Sequence, residues 1–321
     1  MKKFNIAVVG ATGMVGGKFL EVLEERNLPV ENYYLFASAK SAGKKINFAG
    51  KEHTVIELTS QNVSALEGKI DFALFSAGAG VSKEFAPQFV RAGAIVVDNS
   101  SQWRMYDDVP LVVPEVNPED VKRNKGIIAN PNCSTIQAVV ALKPLKDRFG
   151  IKRIVYSTYQ AVSGAGVAGF NDLKDGINGE PPKKFPRPIA FNMLPHIDVF
   201  MDDGYTKEEW KMIVETRKIL HDSSLRVTAT TVRVPVFYGH SESINVEFVQ
   251  KCTRDDVVNA LENFEGIVVM DDTKNNVYPT PLDAENRDEV FVGRIRLDDS
   301  VESGANLWVV ADNIRKGAAT N

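Results

Sequence analysis

Phe4-Asn5-Ile6-Ala7-Val8-Val9-Gly10-Ala11-Thr12-Gly13-Met14-Val15-Gly16-Gly17 is the segment that decides the fold. Its first half is a short apolar β run. Its second half opens a helical pattern that continues through Phe19, Leu20, Val22 and Leu23. Gly10, Gly13 and Gly16 follow G-x-x-G-x-x-G, a variant of the dinucleotide fingerprint. The first glycine permits a tight turn, and the next lets backbone approach a pyrophosphate at a helix N-terminus, where unpaired N–H groups favour an anion. Glycine turns are common, so the weight lies in the context: a strand before, a helix after, close to the start of the chain.

Working outward, apolar runs at 33–37, 71–75, 94–98 and 126–129 are separated by helical stretches, notably 82–91. Strands alternating with helices indicate parallel β-α-β units, so the N-terminal part reads as an α/β, Rossmann-type dinucleotide-binding domain. The segment 37–45, Ala-Ser-Ala-Lys-Ser-Ala-Gly-Lys-Lys, bears on the cofactor. NAD-preferring units place an acid after the second strand to hold the ribose 2′-hydroxyl. Ser38, Lys40 and Ser41 stand here instead and suit a 2′-phosphate, which points to NADP; a solvated basic loop would have the same composition. Ser76-Ala77-Gly78 and Asn99 to Arg104 follow later strands, at the end where open α/β sheets bind ligands.

Asn130-Pro131-Asn132-Cys133-Ser134-Thr135 lies between the run 126–129 and a helix-patterned stretch, 136–149. A thiol delivered by a strand to a helix N-terminus ionises more easily than a free one, and the thiolate is the nucleophile. The other reading is a small buried hydrophobe, the usual fate of a free cysteine, although the Asn, Ser and Thr flanks speak against an apolar site. Beyond Cys133 the pattern changes. Residues 153–160 read as a strand followed by Ser163-Gly164-Ala165-Gly166, and five prolines between 181 and 195 mark an irregular excursion. A helix is expected over 207–220 with Trp210, Ile213 and Val214 on one side. Strands over 225–234, 243–249, 267–270 and 290–297 suggest a largely antiparallel sheet carrying helices. The expected division is residues 1–131 plus 306–321 as the NADP-binding domain and 132–305 as an α+β catalytic and dimerisation domain.

Composition excludes several classes. Lys+Arg 38 against Asp+Glu 42 gives a net charge of -4, and no basic block offers a surface to nucleic acid or membrane. Two cysteines in 321 residues form no disulfide framework, which suits a reducing compartment, and Cys252 at a strand end reads as structural. No signal-peptide pattern and no membrane-length apolar run are present, so the expected location is cytoplasmic. No metal-ligand spacing stands out.

Six segments in order carry a resemblance. They are the loop Gly10 to Gly16, Ser101-Gln102-Trp103-Arg104-Met105, Asn132-Cys133-Ser134-Thr135, Gln160-Ala161-Val162-Ser163-Gly164-Ala165-Gly166, Glu215-Thr216-Arg217-Lys218 and Arg233-Val234-Pro235-Val236-Phe237-Tyr238-Gly239-His240. Over essentially its whole length the chain resembles the aspartate-semialdehyde dehydrogenase family. The resemblance implies NADP-dependent interconversion of L-4-aspartyl phosphate and L-aspartate 4-semialdehyde with inorganic phosphate, in the route to lysine, threonine and methionine, by a homodimer. It implies Cys133 as nucleophile, through a thioester reduced by NADPH, Gln160 as the residue orienting the acyl group, and His240 as acid/base. Histidine suits that role by its near-neutral intrinsic pKa.

Arg233 would clamp the substrate α-carboxylate, a role suited to a planar guanidinium. Glu215 would face the α-amino group, and Arg104 and Lys218, with Asn132, would bind phosphate. For the cofactor it implies Gly10, Thr12, Gly13, Met14, Val15 and Gly16 at the pyrophosphate, Ser38, Lys40 and Ser41 at the adenosine phosphate, and Ser163, Gly164 and Asn313 at the nicotinamide. Lys40 stands where many relatives would carry arginine, which keeps the charge but loses the planar fork. Plainer readings stand beside these: Gln160 as a strand-end amide bonding backbone, Glu215 and Lys218 as an i,i+3 ion pair, Arg104 as a solvated loop charge, His240 as a structural histidine. Two rival functions remain at this point. An N-acetyl-glutamyl-phosphate reductase shares the cysteine–histidine plan but has an acylated amine, for which Glu215 would be wrongly placed. A nucleotide-sensing protein without catalysis would share only the cofactor fold.

Overall fold

The computed structural model describes residues 3–321. It divides into two compact units. One comprises residues up to Val112, Pro118–Pro131 and Ala318–Thr320; the other comprises Val113–Asn117, Asn132–Gly317 and Asn321.

In the first unit β1 (Phe4–Val9) leads into α1 (Met14–Arg26), and β2 (Val30–Ala37) follows. A hairpin, β3 (Lys45–Phe48) with β4 (Lys51–Thr54), and the short β5 (Ile56–Glu57) come next. Then come α2 (Ser60–Ser64), β6 (Phe72–Phe75), α3 (Ala79–Arg91), β7 (Ile95–Asp98) and β8 (Ile127–Ala129). The sheet order is β5-β2-β1-β6-β7-β8, with every recorded pairing parallel. Its strands are apolar on both sides because helices cover them. Ala7, Val9, Phe36, Phe75 and Phe89 fill one side, while Ile6, Val8, Phe19, Leu20 and Leu35 fill the other. The hairpin had no counterpart in the sequence reading: Lys45-Ile46-Asn47-Phe48 alternates over only four residues, and Lys51-Glu52-His53-Thr54 has no aliphatic or aromatic hydrocarbon side chain.

The second unit is built on α4 (Cys133–Phe149), β9 (Ile151–Gln160), α5 (Gly166–Ile177), α6 (Lys207–Ile219), β10 (Arg226–Arg233), β11 (His240–Phe248), α7 (Arg254–Glu262), β12 (Ile267–Val269), β13 (Val290–Leu297) and β14 (Gly304–Ala311). The sheet order is β10-β9-β11-β14-β13-β12. Its three central pairings are antiparallel, as expected, and the correction lies at the edges, where β9 runs parallel to β10 and β12 parallel to β13. A second correction concerns the C-terminal residues 306–321, expected to return to the first domain. β14 pairs between β11 and β13, burying Leu307, Val309 and Ala311, and only Ala318–Thr320 pack with the first unit. A third concerns α6. Its buried residues are Glu208, Glu209, Met212, Glu215, Thr216 and Ile219, and Trp210, Ile213 and Val214 are only half-buried. Three of the six buried positions are carboxylates, which an apolar-stripe argument passes over.

Register decides what the second sheet presents. Arg233 lies opposite Gln160 in the parallel pair, and Ser241 lies opposite Tyr159 in the antiparallel one. Side chains alternate faces along a strand, so Gln160, Arg233 and His240 emerge on one face at one end of three adjacent strands. Two residues along the same face, Glu242 is fully buried on the central strand β11, between Thr158 and Val309. Neither carboxyl oxygen has a hydrogen-bond partner. Burial pushes its carboxyl well above the usual range.

A glutamate in the unfolded chain loses its proton above about pH 4.5 while native Glu242 retains it, so this group costs stability as pH rises through that range. Glu242→Gln, neutral at every pH, is expected to gain stability relative to the parent between pH 5 and pH 8 in urea denaturation. An unchanged difference between the two pH values would show that Glu242 is not held protonated.

Candidate active site

Cys133 is the first helical residue of α4, three residues earlier than the apolar pattern begins. The reason is Asn132, an N-cap in extended conformation whose Oδ1 accepts from the N–H groups of Ser134 at 3.1 Å and Thr135 at 3.3 Å. Such a cap contributes about 1 kcal/mol and fixes the helix start. The sulfur therefore sits where the helix dipole favours a thiolate, and Cys133 is half-buried rather than a core hydrophobe. Gly317 packs against it: a Cβ at 317 would lie 2.8 Å from Cys133 Cβ and 3.2 Å from its Cα. Only glycine leaves this cysteine its place.

Gln160 is not bonded to backbone, as its plainer reading had it. Its Oε1 accepts from Thr158 Oγ1 at 3.0 Å and its Nε2 donates to Glu208 Oε1 at 3.1 Å. Arg233 is buried, donates through Nη1 to the Ala161 carbonyl at 2.6 Å, and lies 5.9 Å above the Phe185 ring. Burial lowers its affinity for a proton, while Glu208 and then Cys133 favour its charge, so the thiol lies within electrostatic reach of the guanidinium. Gly164 closes the group, since a Cβ there would meet Arg233 Nη1 at 2.9 Å and His240 Nε2 at 3.3 Å.

His240 is fully buried. Burial first, and the Arg233 charge second, push its pKa down to about 3 against a smaller opposing pull from Glu208. The near-neutral titration expected from the sequence is therefore corrected: the imidazole is neutral at physiological pH in this pocket. The Ala161 N–H donates to Nδ1 at 3.0 Å, which puts the ring hydrogen on Nε2, and Nε2 is buried without a protein partner.

Glu215 is 1% exposed and its Oε2 accepts the Asn132 N–H at 2.7 Å. Lys218 is half-buried one turn further along α6. Sequence reasoning missed Glu208 and Lys211 on the same helix. Positions 208, 211, 215 and 218 are spaced by three and four residues, which puts them on one face; that spacing was the available signal. In the same unit Asn313 Nδ2 donates to Ser163 Oγ at 3.0 Å, and Asn313 Oδ1 accepts the Gly239 N–H at 3.0 Å.

The first unit holds the remaining residues. Gly10 has φ +90, and a side chain there would press into the Ser76 carbonyl; one at Gly16 would press into that of Gly10. Gly13 is the N-cap of α1 and supplies no side-chain acceptor, so the N–H groups at the helix start meet no side-chain cap. Ser38 opens a short turn, Ala39–Ser41, which brings Ser41 Oγ to 3.4 Å from Thr12 Oγ1, with Lys40 exposed beside it. Met14 and Val15 form the first turn of α1. Arg104 is buried and donates through Nη2 to the Asn99 carbonyl at 3.0 Å, which sets aside the solvated-loop reading.

Comparison with known proteins agrees with this geometry. Residues 5–124 match the family described as semialdehyde dehydrogenase, NAD binding domain, and residues 142–316 the one described as semialdehyde dehydrogenase, dimerisation domain. The aspartate-semialdehyde dehydrogenase of Aquifex aeolicus is 60% identical, over 99% of this chain and 95% of its own. The chain belongs to the aspartate-semialdehyde dehydrogenase family. That membership sets aside the acylated-amine reductase. Aspartate-semialdehyde dehydrogenase II of Vibrio cholerae, solved in complex with ASA, superposes with a TM-score of 0.95 at 49% identity, over 100% of this chain and 96% of that one. The aspartate-semialdehyde dehydrogenase of Candida albicans, solved with NADP, gives 0.77 at 30% identity, over 99% and 96%.

Gly317→Ala tests the clearance at Cys133. The added methyl is expected to leave the fold intact, lower the melting temperature slightly and reduce kcat about tenfold or more by displacing Cys133. Unchanged kcat would show that the two segments part without consequence.

Proposed function

We propose that this chain catalyses the reaction of its family, the reversible, NADP-dependent reductive dephosphorylation of L-4-aspartyl phosphate to L-aspartate 4-semialdehyde. The observation that carries the reading is the convergence, within one unit, of a cysteine capped into a helix N-terminus with Gln160, Arg233 and His240 from three strand ends. A protein that only sensed nucleotide would have no use for that constellation.

In the biosynthetic direction the Cys133 thiolate attacks the acyl carbon, and inorganic phosphate leaves with the bonding pair. NADPH, when bound, supplies the hydride that reduces the thioester. Gln160 orients the acyl group. Arg233 holds the α-carboxylate, whose charge offsets the cation that lowers the proton affinity of His240. Nε2 of His240, carrying its hydrogen, faces the oxygen on which negative charge develops and stabilises it. Collapse of the hemithioacetal returns the thiolate and frees the aldehyde. Glu215 pairs with the substrate ammonium, and Lys218 and Asn132 of the same unit serve phosphate; in the first unit that role falls to Arg104.

The cofactor fits the first unit. The glycine turn and uncapped helix start at Gly13 suit a pyrophosphate, and the segment from Ser38 to Lys45 offers hydroxyls and lysines with no acid, which supports NADP over NAD. In the second unit Asn313, bonded to Ser163 next to Gly164, forms a polar group suited to the carboxamide of a nicotinamide. A homodimer is part of the proposal. In support, the sheet face opposite Gln160 and His240 carries Tyr159, 36% exposed, against Trp308 at 5.4 Å between ring centres, an aromatic surface typical of interfaces. No described helix is long and apolar enough to cross a membrane, which suits a cytoplasmic site of action.

Phosphate-dependent reduction of NADP by aspartate semialdehyde is the direct assay. Cys133→Ala should abolish it while leaving NADP affinity nearly unchanged, and acyl phosphate without NADPH should add mass at Cys133; label on Cys252 instead would overturn the assignment.

Arg233→Lys keeps the charge but loses the bidentate fork. It should raise KM for the semialdehyde and lower kcat/KM by about 2 kcal/mol or more. A defect confined to phosphate dependence would remove Arg233 from the carboxylate site.

A further inference from the structure

Glu208 is 5% exposed near the start of α6, seven residues before Glu215 and on the same helix face. Its Oε1 accepts from two amides, Asn132 Nδ2 at 2.8 Å and Gln160 Nε2 at 3.1 Å. Its Oε2 accepts from Lys211 Nζ at 3.1 Å, and Lys211 is itself tied to Asp198 at 2.7 Å. Burial opposes the charge, yet Lys211, the two amides and Arg233 hold the carboxyl down to about 2. Glu208 is therefore an acceptor only, throughout the neutral range.

An acceptor-only group dictates how its neighbours stand. A side-chain amide has a donor end and an acceptor end, and nothing intrinsic decides which faces where. Facing Glu208, both amides must present NH2. Asn132 then turns Oδ1 toward the N–H groups of Ser134 and Thr135, and Gln160 turns Oε1 toward the Thr158 hydroxyl. With the opposite orientation, Asn132 would aim a donor at two donors and the cap would be lost.

We propose that Glu208 is a positioning residue: a single buried carboxylate that sets the orientation of Asn132, the cap of the nucleophile's helix, and of Gln160, the guide of the acyl group, and so holds thiolate and acyl carbon in line. This rests on the reading of Cys133 as nucleophile and Gln160 as acyl guide. Lys211 neutralises the carboxylate from the side away from the two amides and secures it without touching either.

The test compares Glu208→Gln, Glu208→Asp and Lys211→Met. Glu208→Gln replaces an acceptor-only group with an amide, whose NH2 must face a donor on either side, the two amides or Lys211. Its kcat in the phosphate-dependent assay should fall about 30-fold or more, with KM for NADP unchanged within twofold. Glu208→Asp keeps the charge opposite Lys211 but is one methylene short of both amides, so it should fold and show a loss in the same direction. Lys211→Met, which breaks the ion pair and leaves the amides, should lower the melting temperature while kcat stays within about threefold. Because Glu208 acts partly through Gln160, the losses of Glu208→Gln and Gln160→Ala should fall short of multiplying in the double variant.

Full multiplication, a Glu208→Asp kcat within twofold of the parent, or a Lys211→Met loss equal to that of Glu208→Asp would each overturn the proposal. Should Glu208→Gln not fold, Glu208→Asp and Lys211→Met decide it. Acyl-phosphate labelling of the parent separates the two levels: no adduct at Cys133 sinks the nucleophile reading, whereas an adduct there with fully active Glu208→Asp sinks only the role of Glu208.

Discussion

Every hydrogen-bonding group of Asn132 is in use, and the site depends on that one residue. Its N–H donates to Glu215 at 2.7 Å and its carbonyl accepts from Ile136 at 2.9 Å. Its Oδ1 caps Ser134 and Thr135, and its Nδ2 reaches Glu208. The first two place the backbone, the third starts the helix at Cys133, and the fourth links that start to the strand end bearing Gln160. A serine hydroxyl carries its donor and its acceptor on one atom, so it could not cap Ser134 and Thr135 and reach Glu208 together. The choice of asparagine follows from needing both at once, one residue before the sulfur.

Around this residue the charges are arranged so that each ionised group is held by another. Glu208 lies between Lys211 and the attraction of Arg233, and Arg233 is favoured in turn by Glu208 and Cys133. His240 is the exception, because burial first, and then the same guanidinium that favours a thiolate, disfavour an imidazolium. A pocket whose cation favours a thiolate thus keeps its histidine neutral. The Ala161 N–H on Nδ1 then leaves the ring hydrogen on Nε2, which is buried. The electrostatics favour a fixed donor over a freely titrating base in the ligand-free protein.

Much of this was legible in the sequence, for reasons that differ by element. The glycine turn at 10–16 and the apolar strands of the first sheet are local signals, and the parallel order follows from their alternation with helices. β13 was read at its true limits, because the apolar Val290, Phe291, Val292, Ile295 and Leu297 span them even though Gly293 interrupts the run. The direction of β10, the placement of β14 and the buried face of α6 were not legible, because each is decided by a partner distant in sequence. Thr231 and Glu209 illustrate this: the Thr231 N–H donates to Glu209 Oε1 at 3.0 Å, across 22 residues, and so turns a surface-looking glutamate inward. The helix 207–219 carries its chemistry on a stripe of buried charge, whereas an amphipathic reading looks for apolar residues.

On its proposed role Glu215 would serve both the substrate ammonium and the start of α4. A carboxylate has about four acceptor positions, and the bond from the Asn132 N–H uses one. Recognition of a substrate ammonium by the same carboxylate would draw negative charge toward the ligand and away from that N–H. Binding of the zwitterionic end would then be felt directly at the residue preceding Cys133, through a single hydrogen bond. An aldehyde without the amino group would occupy the acyl site yet leave Glu215 wholly engaged with Asn132. Discrimination for the amino acid would in this way act at the nucleophile's helix, and appear in kcat as well as in KM.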